Sequence, residues 1–226
     1  MKSGVIAEAY GTENINDFYE TVTPESERFD ELEQCVEVTE NIQLSDGREA
    51  QLGRAAIQDL NDIEDIRIDE GIIRKYESSE KVTLYTDFLY VPDSFIAVSS
   101  GSGTFAFNLI DSKMSISIDM IKFDLDNYVE QHPDADPWKI GFYDRIGNAE
   151  NGVVHGEQLL KDSNVGDVLG TSKKNQVGLE YNFEGYLVKT FVVQSGYIDV
   201  YQPSNFETFE FVNLIETELL PHAVPK

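Results

Sequence analysis

Forty-two Asp and Glu residues stand against seventeen Lys and Arg in this 226-residue chain, a formal net charge of -25. Charge so far from neutrality raises the energy of any compact state through self-repulsion. A fold built from this sequence has to spread its carboxylates over the surface, and it gains from molar salt, which shortens the Debye length to about 3 Å. The acid is not gathered in a tail: residues 1–80 hold 21 acidic and 7 basic side chains, and residues 81–226 hold 21 and 10. It is interleaved with apolar residues, as in Ile63-Glu64-Asp65-Ile66-Arg67-Ile68-Asp69 and Phe206-Glu207-Thr208-Phe209-Glu210-Phe211. A low-complexity acidic segment is therefore excluded. With 41% hydrophobic and 11% aromatic residues, the chain can build a core and does not read as disordered. Its length suits two small domains, divided at 1–125 and 126–226, or one continuous domain.

Over its whole length the composition resembles that of proteins from salt-accumulating halophilic archaea, which implies adaptation to molar salt. The chain departs from that pattern in its 11 Lys against 6 Arg and its abundant Ile, which fits an AT-richer, mobile genomic source. Cys35 is the only cysteine, so no internal disulfide can form, and it reads as a small buried apolar residue. The apolar run at Val5-Ile6-Ala7 stops at Glu8, too soon for a signal h-region, and no stretch is long enough to span a membrane. A soluble, cytoplasmic protein is expected.

The periodicities predict an α+β fold: antiparallel β-meanders packed against a few helices, with two related strand-strand-helix modules as a further reading. Thr23-Pro24-Glu25-Ser26-Glu27 has the form of a helix start, with Phe29, Leu32 and Cys35 following at helical spacing. Val36–Leu44 and Glu49–Leu52 form a hairpin across Ser45-Asp46-Gly47-Arg48, and Ala55, Ala56, Ile57 and Leu60 suit a short helix. From Ile63 to Ser100 the period is two, a meander of about four strands that turns at Asp69-Glu70-Gly71. Thr104–Ile110 fits a strand or a short helix, with a cap at Ser102 favouring the helix; Ile116–Met120 reads as a strand, Asp126–Gln131 as a helix and Trp138–Tyr143 as a strand. Residues 144–175 are the loosest part, with one ordered piece at Val153–Leu160. A three-stranded meander over Leu179–Tyr201, turning at Glu184-Gly185 and Ser195-Gly196, leads to a last helix. Ser204 and Glu207 are placed as its capping box and Pro221 as its stop.

Two stretches echo each other. Phe95–Gly101 precedes Thr104-Phe105-Ala106-Phe107-Asn108-Leu109-Ile110-Asp111, and Phe191–Gly196 precedes Thr208-Phe209-Glu210-Phe211-Val212-Asn213-Leu214-Ile215-Glu216. Duplication and chance repetition are both open readings. Around residues 81–112 and 177–220 the pattern is similar to the two halves of the TATA-binding-protein fold, which implies a sheet gripping DNA. The surplus of acid opposes that implication, because such a sheet needs cations for the phosphates.

No residue set is assigned a catalytic, cofactor-binding or metal-ligating role. Only three histidines exist, His132, His155 and His222. His155-Gly156-Glu157 lacks a second ligand pair at a recognisable spacing and reads as a surface turn. His132, Asp134 and Asp136 could offer hard oxygens and an imidazole to a divalent cation, but two prolines favour a plain turn, with Trp138 anchored beneath it. Asp167, Glu180 and Lys189 could be drawn as a nuclease-type triad, without agreement in strand phase. Ser100-Gly101-Ser102-Gly103-Thr104 lacks the Gly-Lys-Ser/Thr ending of a P-loop and reads as a flexible turn. Lys173-Lys174 is read as a solvated loop.

The function expected is that of an acidic, salt-adapted accessory or interaction protein without a catalytic site. Its partner would be a protein; direct nucleic-acid binding and membrane insertion are disfavoured, no cofactor is implied, and the oligomeric state is left open. The alternatives are a nucleic-acid mimic, with carboxylate rows along Glu25–Glu40 and residues 59–80, and a metal-dependent hydrolase or nuclease around Asp134–Asp136 and Glu180.

Overall fold

A computed structural model describes residues 1–23, 31–144 and 150–226. The strands are β1 (Ser3–Tyr10), β2 (Phe18–Val22), β3 (Leu32–Gln43), β4 (Glu49–Asp69), β5 (Ile72–Val91), β6 (Phe95–Val98), β7 (Ser117–Phe123), β8 (Asp136–Tyr143), β9 (Gly152–His155), β10 (Lys173–Phe183), β11 (Tyr186–Val193), β12 (Tyr197–Gln202) and β13 (Ala223–Pro225). The α-helices are short: α1 (Phe105–Lys113), α2 (Leu125–Gln131), α3 (Gly166–Thr171) and α4 (Thr208–Leu214), the last continuing as a π-helical turn over Ile215–Leu219.

The expected α+β class with antiparallel meanders is what the chain adopts, gathered into one large sheet. Its order is β2-β3-β4-β5-β6-β1-β12-β11-β10-β8-β9. β1 is the junction: Val5–Glu8 pair with β6 on one edge, while on the other Ser3–Val5 pair with β12 and Ala7–Tyr10 with β7. Hydrogen bonding thus runs from residues before 125 into residues after it. The two faces of the sheet build two cores. Ile6, Leu89, Val91, Phe95 and Ala97 face α2, α4 and the π-helical turn. Their neighbours Val5, Ala7, Phe88, Tyr90, Ile96 and Val98 face α1. Phe88–Val91 and Phe95–Val98 are therefore buried on both sides, which explains their unbroken apolar runs. Helix α3 covers Ile140 and Phe142 at the far end, and among the described residues no helix lies on the opposite face of β12-β11-β10-β8.

Several expectations are corrected. Leu32 and Cys35 belong to β3 rather than a helix; the proposed cap and first turn over residues 24–30 lie outside the described residues. Ala55, Ala56, Ile57 and Leu60 are strand residues of β4, bonded to β3 on one side and β5 on the other up to Ile57. The small residues there serve packing, since a Cβ on Gly53 would meet Phe88 Cζ at 2.2 Å. Tertiary contacts override the helix preference of alanine. The four-strand meander over 63–100 is instead two very long strands and one short one, with no break between Tyr76 and Val82. Helix α1 is present, but Ser102 bonds the Ser100 hydroxyl and caps nothing. The final capping box is formed by Glu207 and Glu210, one turn later than Ser204 and Glu207. The echo also separates in space. Ser195-Gly196 leads into β12 before α4 begins, and α1 and α4 pack on opposite faces of the sheet.

Candidate interaction surface

The hairpin of β4 and β5 runs in unbroken register from Gln51↔Tyr90 to Asp69↔Ile72. The pairing of β3 with β4 ends at Ile57, and that of β6 with β5 begins at Phe88. From Gln58↔Thr83 outward the two strands form a ribbon with no third strand among the described residues, about 40 Å long at roughly 3.4 Å per residue. Its turn is Glu70-Gly71, both with positive φ (51° and 80°), the two-residue geometry that matches the twist of the strands. Glu184-Gly185 closes β10 and β11 in the same way, with φ of 46° and 89°. Both turns are legible in the sequence as acid-Gly pairs between alternating runs.

Residues opposite each other share a face, so the register sorts the ribbon into two sides. One side carries Asp65, Arg67, Asp69, Ile72, Arg74 and Tyr76. Its charges are paired within the chain, Arg67 with Asp65 at 2.6 Å and over the Tyr76 ring at 5.5 Å, and Arg74 approaching Asp69 at 3.7 Å, while Ile72 stays 59% exposed. The other side carries Glu64↔Glu77, Ile66↔Lys75 and Ile68↔Ile73. Here Lys75 pairs with Glu64 at 2.9 Å. The isoleucines there are 59% (Ile66), 78% (Ile68) and 72% (Ile73) exposed. Three β-branched apolar side chains, clustered and open to solvent at the end of an arm, are the best-defined contact surface among the described residues.

The chemical candidates fare differently. His132 Nδ1 lies 2.7 Å from the Tyr128 carbonyl oxygen and Nε2 lies 2.7 Å from Glu218. Both ring nitrogens face acceptors, so the imidazolium satisfies both and neither nitrogen is free for a metal or a substrate. Burial works to lower the His132 pKa, but the Glu218 carboxylate and the Tyr128 carbonyl outweigh it and hold it raised. Around this pair, Tyr128 and Tyr181 share a buried hydroxyl contact of 3.1 Å, and burial pushes Tyr128 up to about 12. His222 packs edge-on against Tyr128, its Nδ1 buried without a partner among the described residues, and burial followed by the charge of His132 lowers its pKa. The cluster fastens the π-helical turn to α2 and β10, a structural latch that the sequence did not announce.

Asp136 and Glu180 do come together, opposite each other in register, with Lys189 across from Glu180 on the next strand. Asp136 is engaged by the Gln158 backbone N–H at 2.6 Å, and Lys189 is drawn over the Trp138 ring at 4.9 Å. Asp167 lies apart, exposed in the first turn of α3. Among the described residues no group of three or more His, Cys, Asp or Glu is arranged to hold a metal. The cleft beside His132, Asp134 and Asp136 has a volume of 130 Å³. That is below the roughly 300 Å³ at which small-molecule sites begin. His155 and Glu157 are exposed at and just beyond the end of β9.

Trp138 is not beneath the turn. It lies against Gly178, where a Cβ would meet Cε2 at 2.5 Å, and Tyr201 meets its edge at 5.7 Å. Lys139 covers Phe191 at 3.9 Å, so on this helix-free face the chain's own lysines lie over its aromatic rings. The Lys173-Lys174 doublet also departs from expectation. The doublet opens β10, and Lys174, its side chain only 6% exposed, pairs with Asp126 at 2.6 Å. Arg48 grips Glu216 with two bonds of 2.7 and 2.6 Å and Asp46 with a third of 2.6 Å, while Ser94 donates to Glu216 at 2.6 Å. Cys35 is a half-buried free thiol. Among the described residues no helix is long and apolar enough to cross a membrane.

No protein-family model matches the chain, and neither the curated proteins nor the solved structures contain a significant match to it.

Proposed function

We propose that this chain is a non-catalytic interaction protein adapted to molar salt, which engages a protein partner through the tip of the β4–β5 ribbon. The single observation behind this reading is the exposure of Ile66, Ile68 and Ile73 at the end of a strand pair about 40 Å long. Returning one such side chain to an apolar contact is worth about 1.5–3 kcal/mol, and nothing inside the ribbon provides that contact. Carboxylates along the rest of the ribbon, among them Asp59, Asp62, Glu64 and Glu77, keep its open edges from unspecific pairing in salt. The mimic reading has less support, because its carboxylate rows on 59–80 are interrupted by Arg67, Arg74, Lys75 and the isoleucines. Its other row, along Glu25–Glu40, loses the expected helix from Leu32 onward.

Circular dichroism and sedimentation from dilute buffer to 3 M KCl test the salt element of the proposal. Folding that fails in dilute buffer and is restored by KCl is the expected result. A cooperative fold in millimolar buffer that gains nothing from KCl would remove salt adaptation as the account of the charge. The contact element is tested with Ile68→Asp/Ile73→Asp, which should keep its circular-dichroism spectrum and lose association.

A further inference from the structure

Residues 220–226 fold back over the sheet as a strap. Leu220–His222 form a short 3-10 turn, and β13 continues from it along the edge of β7 that β1 leaves open. We infer that this strap is an acid-sensitive clasp: the neutral His222 imidazole holds it closed, and charging that ring releases it from β7.

His222 is 7% exposed, and its Nδ1 is buried without a partner among the described residues. A neutral ring accommodates this with the proton on Nε2, since only an unshared lone pair is then buried. The imidazolium carries a proton on both nitrogens, so Nδ1–H would become a charged donor buried without an acceptor. The groups around the ring add to that cost. Tyr128 of α2 meets it edge-on at 5.5 Å, and His132, at the end of the same helix, packs on that tyrosine at 4.7 Å. His132 is the charged member of the two, with both nitrogens facing acceptors. Asp124 at the α2 cap and Glu218 on the π-helical turn pull the other way, but Asp124 is engaged by the Asn127 N–H and Glu218 by His132. Tyr181 of β10 lies against His132 at 4.6 Å and is neutral, and Lys122 of β7 is exposed. Burial and then the His132 charge prevail, holding His222 below its ordinary value.

Little else fastens the strap. Its ladder to β7 is Ala223↔Phe123, Val224↔Lys122 and Pro225↔Ile121, and Pro225 has no N–H to give. The His222 carbonyl accepts from the Asp124 N–H at 2.9 Å, and the Lys226 N–H reaches the Met120 carbonyl at 3.3 Å. Val224, Pro225 and Lys226 are exposed, so the segment beyond His222 gives up little apolar contact when it lifts. Segments with few buried contacts open locally at low free energy, and lifting this one leaves the outer edge of β7 unpaired. A released His222 titrates near its ordinary 6.5, above the lowered value it has in the closed strap. Opening therefore grows as pH falls below 6.5 and levels off below the lowered value.

Hydrogen exchange of single amides, followed by NMR on the full chain in 1 M KCl, reads the strap directly. The Asp124 amide is bonded to the strap, whereas that of its neighbour Phe123 is bonded to the Gln194 carbonyl at 2.9 Å and serves as the control. After correction for the intrinsic rate, Asp124 protection should fall roughly three- to tenfold from pH 7.5 to 5.5, the range open to one titrating histidine. Phe123 should keep its protection. The midpoint of opening should coincide with the titration of the His222 ring, read from its Cε1–H shift. His222→Gln, uncharged at both pH values, should show no such fall. Asp124 protection that stays constant in the wild-type chain overturns the inference. So do an equal fall in His222→Gln, a parallel fall at Phe123, and an opening whose midpoint departs from that of the ring.

Discussion

Replacing Glu218 with Gln tests the latch between the π-helical turn and α2. In the native protein His132 presents N–H groups to two acceptors, Glu218 and the Tyr128 carbonyl, each at 2.7 Å. The side chains are 11% and 26% exposed, so the pair stands between a surface ion pair worth about 0–1 kcal/mol and a buried one whose breakage costs 3–5 kcal/mol. A loss of about 2 kcal/mol is expected, in line with a hydrogen bond to a charged group. The sign with pH follows from the raised folded pKa of His132. Its stabilisation is complete below the ordinary value of 6.5 and is lost as pH climbs through the raised value. His222 works the other way: its lowered folded pKa gives stability that is present above 6.5 and lost as the pH falls through the lowered value. The variant therefore loses the group that strengthens in acid and keeps the one that weakens there. Thermal melts at pH 5.5, 7 and 9 in constant molar KCl should show a deficit of about 4–8 °C at pH 5.5, at roughly 2–4 °C per kcal/mol for a chain of this size, shrinking toward zero at pH 9. Other carboxylates titrate in both proteins and cancel in the difference. A deficit that is equal at all three pH values, or larger at pH 9, would refute the charged-histidine account.

Three further changes probe the packing. Gly178→Val places carbon where the Trp138 ring now lies, 2.5 Å from a built Cβ; a cost of about 1–3 kcal/mol is expected, with a red shift in the emission of the sole tryptophan, and unchanged fluorescence would contradict it. Arg48→Lys replaces a two-pronged grip on Glu216 with a point charge; because Arg48 is 39% exposed the loss should be only about 1 kcal/mol, seen as a lower urea midpoint, and an unmoved midpoint would count against the tie. The Lys174–Asp126 pair should respond asymmetrically. Asp126→Asn strands a buried ammonium and costs about 3 kcal/mol, whereas Lys174→Met leaves an accessible carboxylate and costs under about 1 kcal/mol, so equal effects in urea titration would argue against burial as the cause.

The sequence by itself determined what local chemistry can encode. Alternating apolar and polar residues gave the hairpins at Glu70-Gly71 and Glu184-Gly185, because an acid-Gly pair supplies positive φ where the chain must reverse. The 3.6-residue period gave α4, a stop at Pro133 marked the end of α2, a Ser102 cap that does not form pointed to α1, and the spread of carboxylates showed that no tail accounts for the charge. Tertiary structure decided the rest. Ala55, Ala56 and Ile57 suit a helix until β3 and β5 flank them, and the spacing of Leu32 and Cys35 fits a helix and a strand equally well. Lys174, Arg48, His132 and Glu218 look like ordinary surface residues in the sequence, since their partners lie 48, 168 and 86 positions away. The ribbon was visible as a hairpin but not as an arm. Whether a strand pair is covered depends on where its neighbours stop, and no periodicity within the pair records that, among the described residues, strand neighbours end at Ile57 and Phe88.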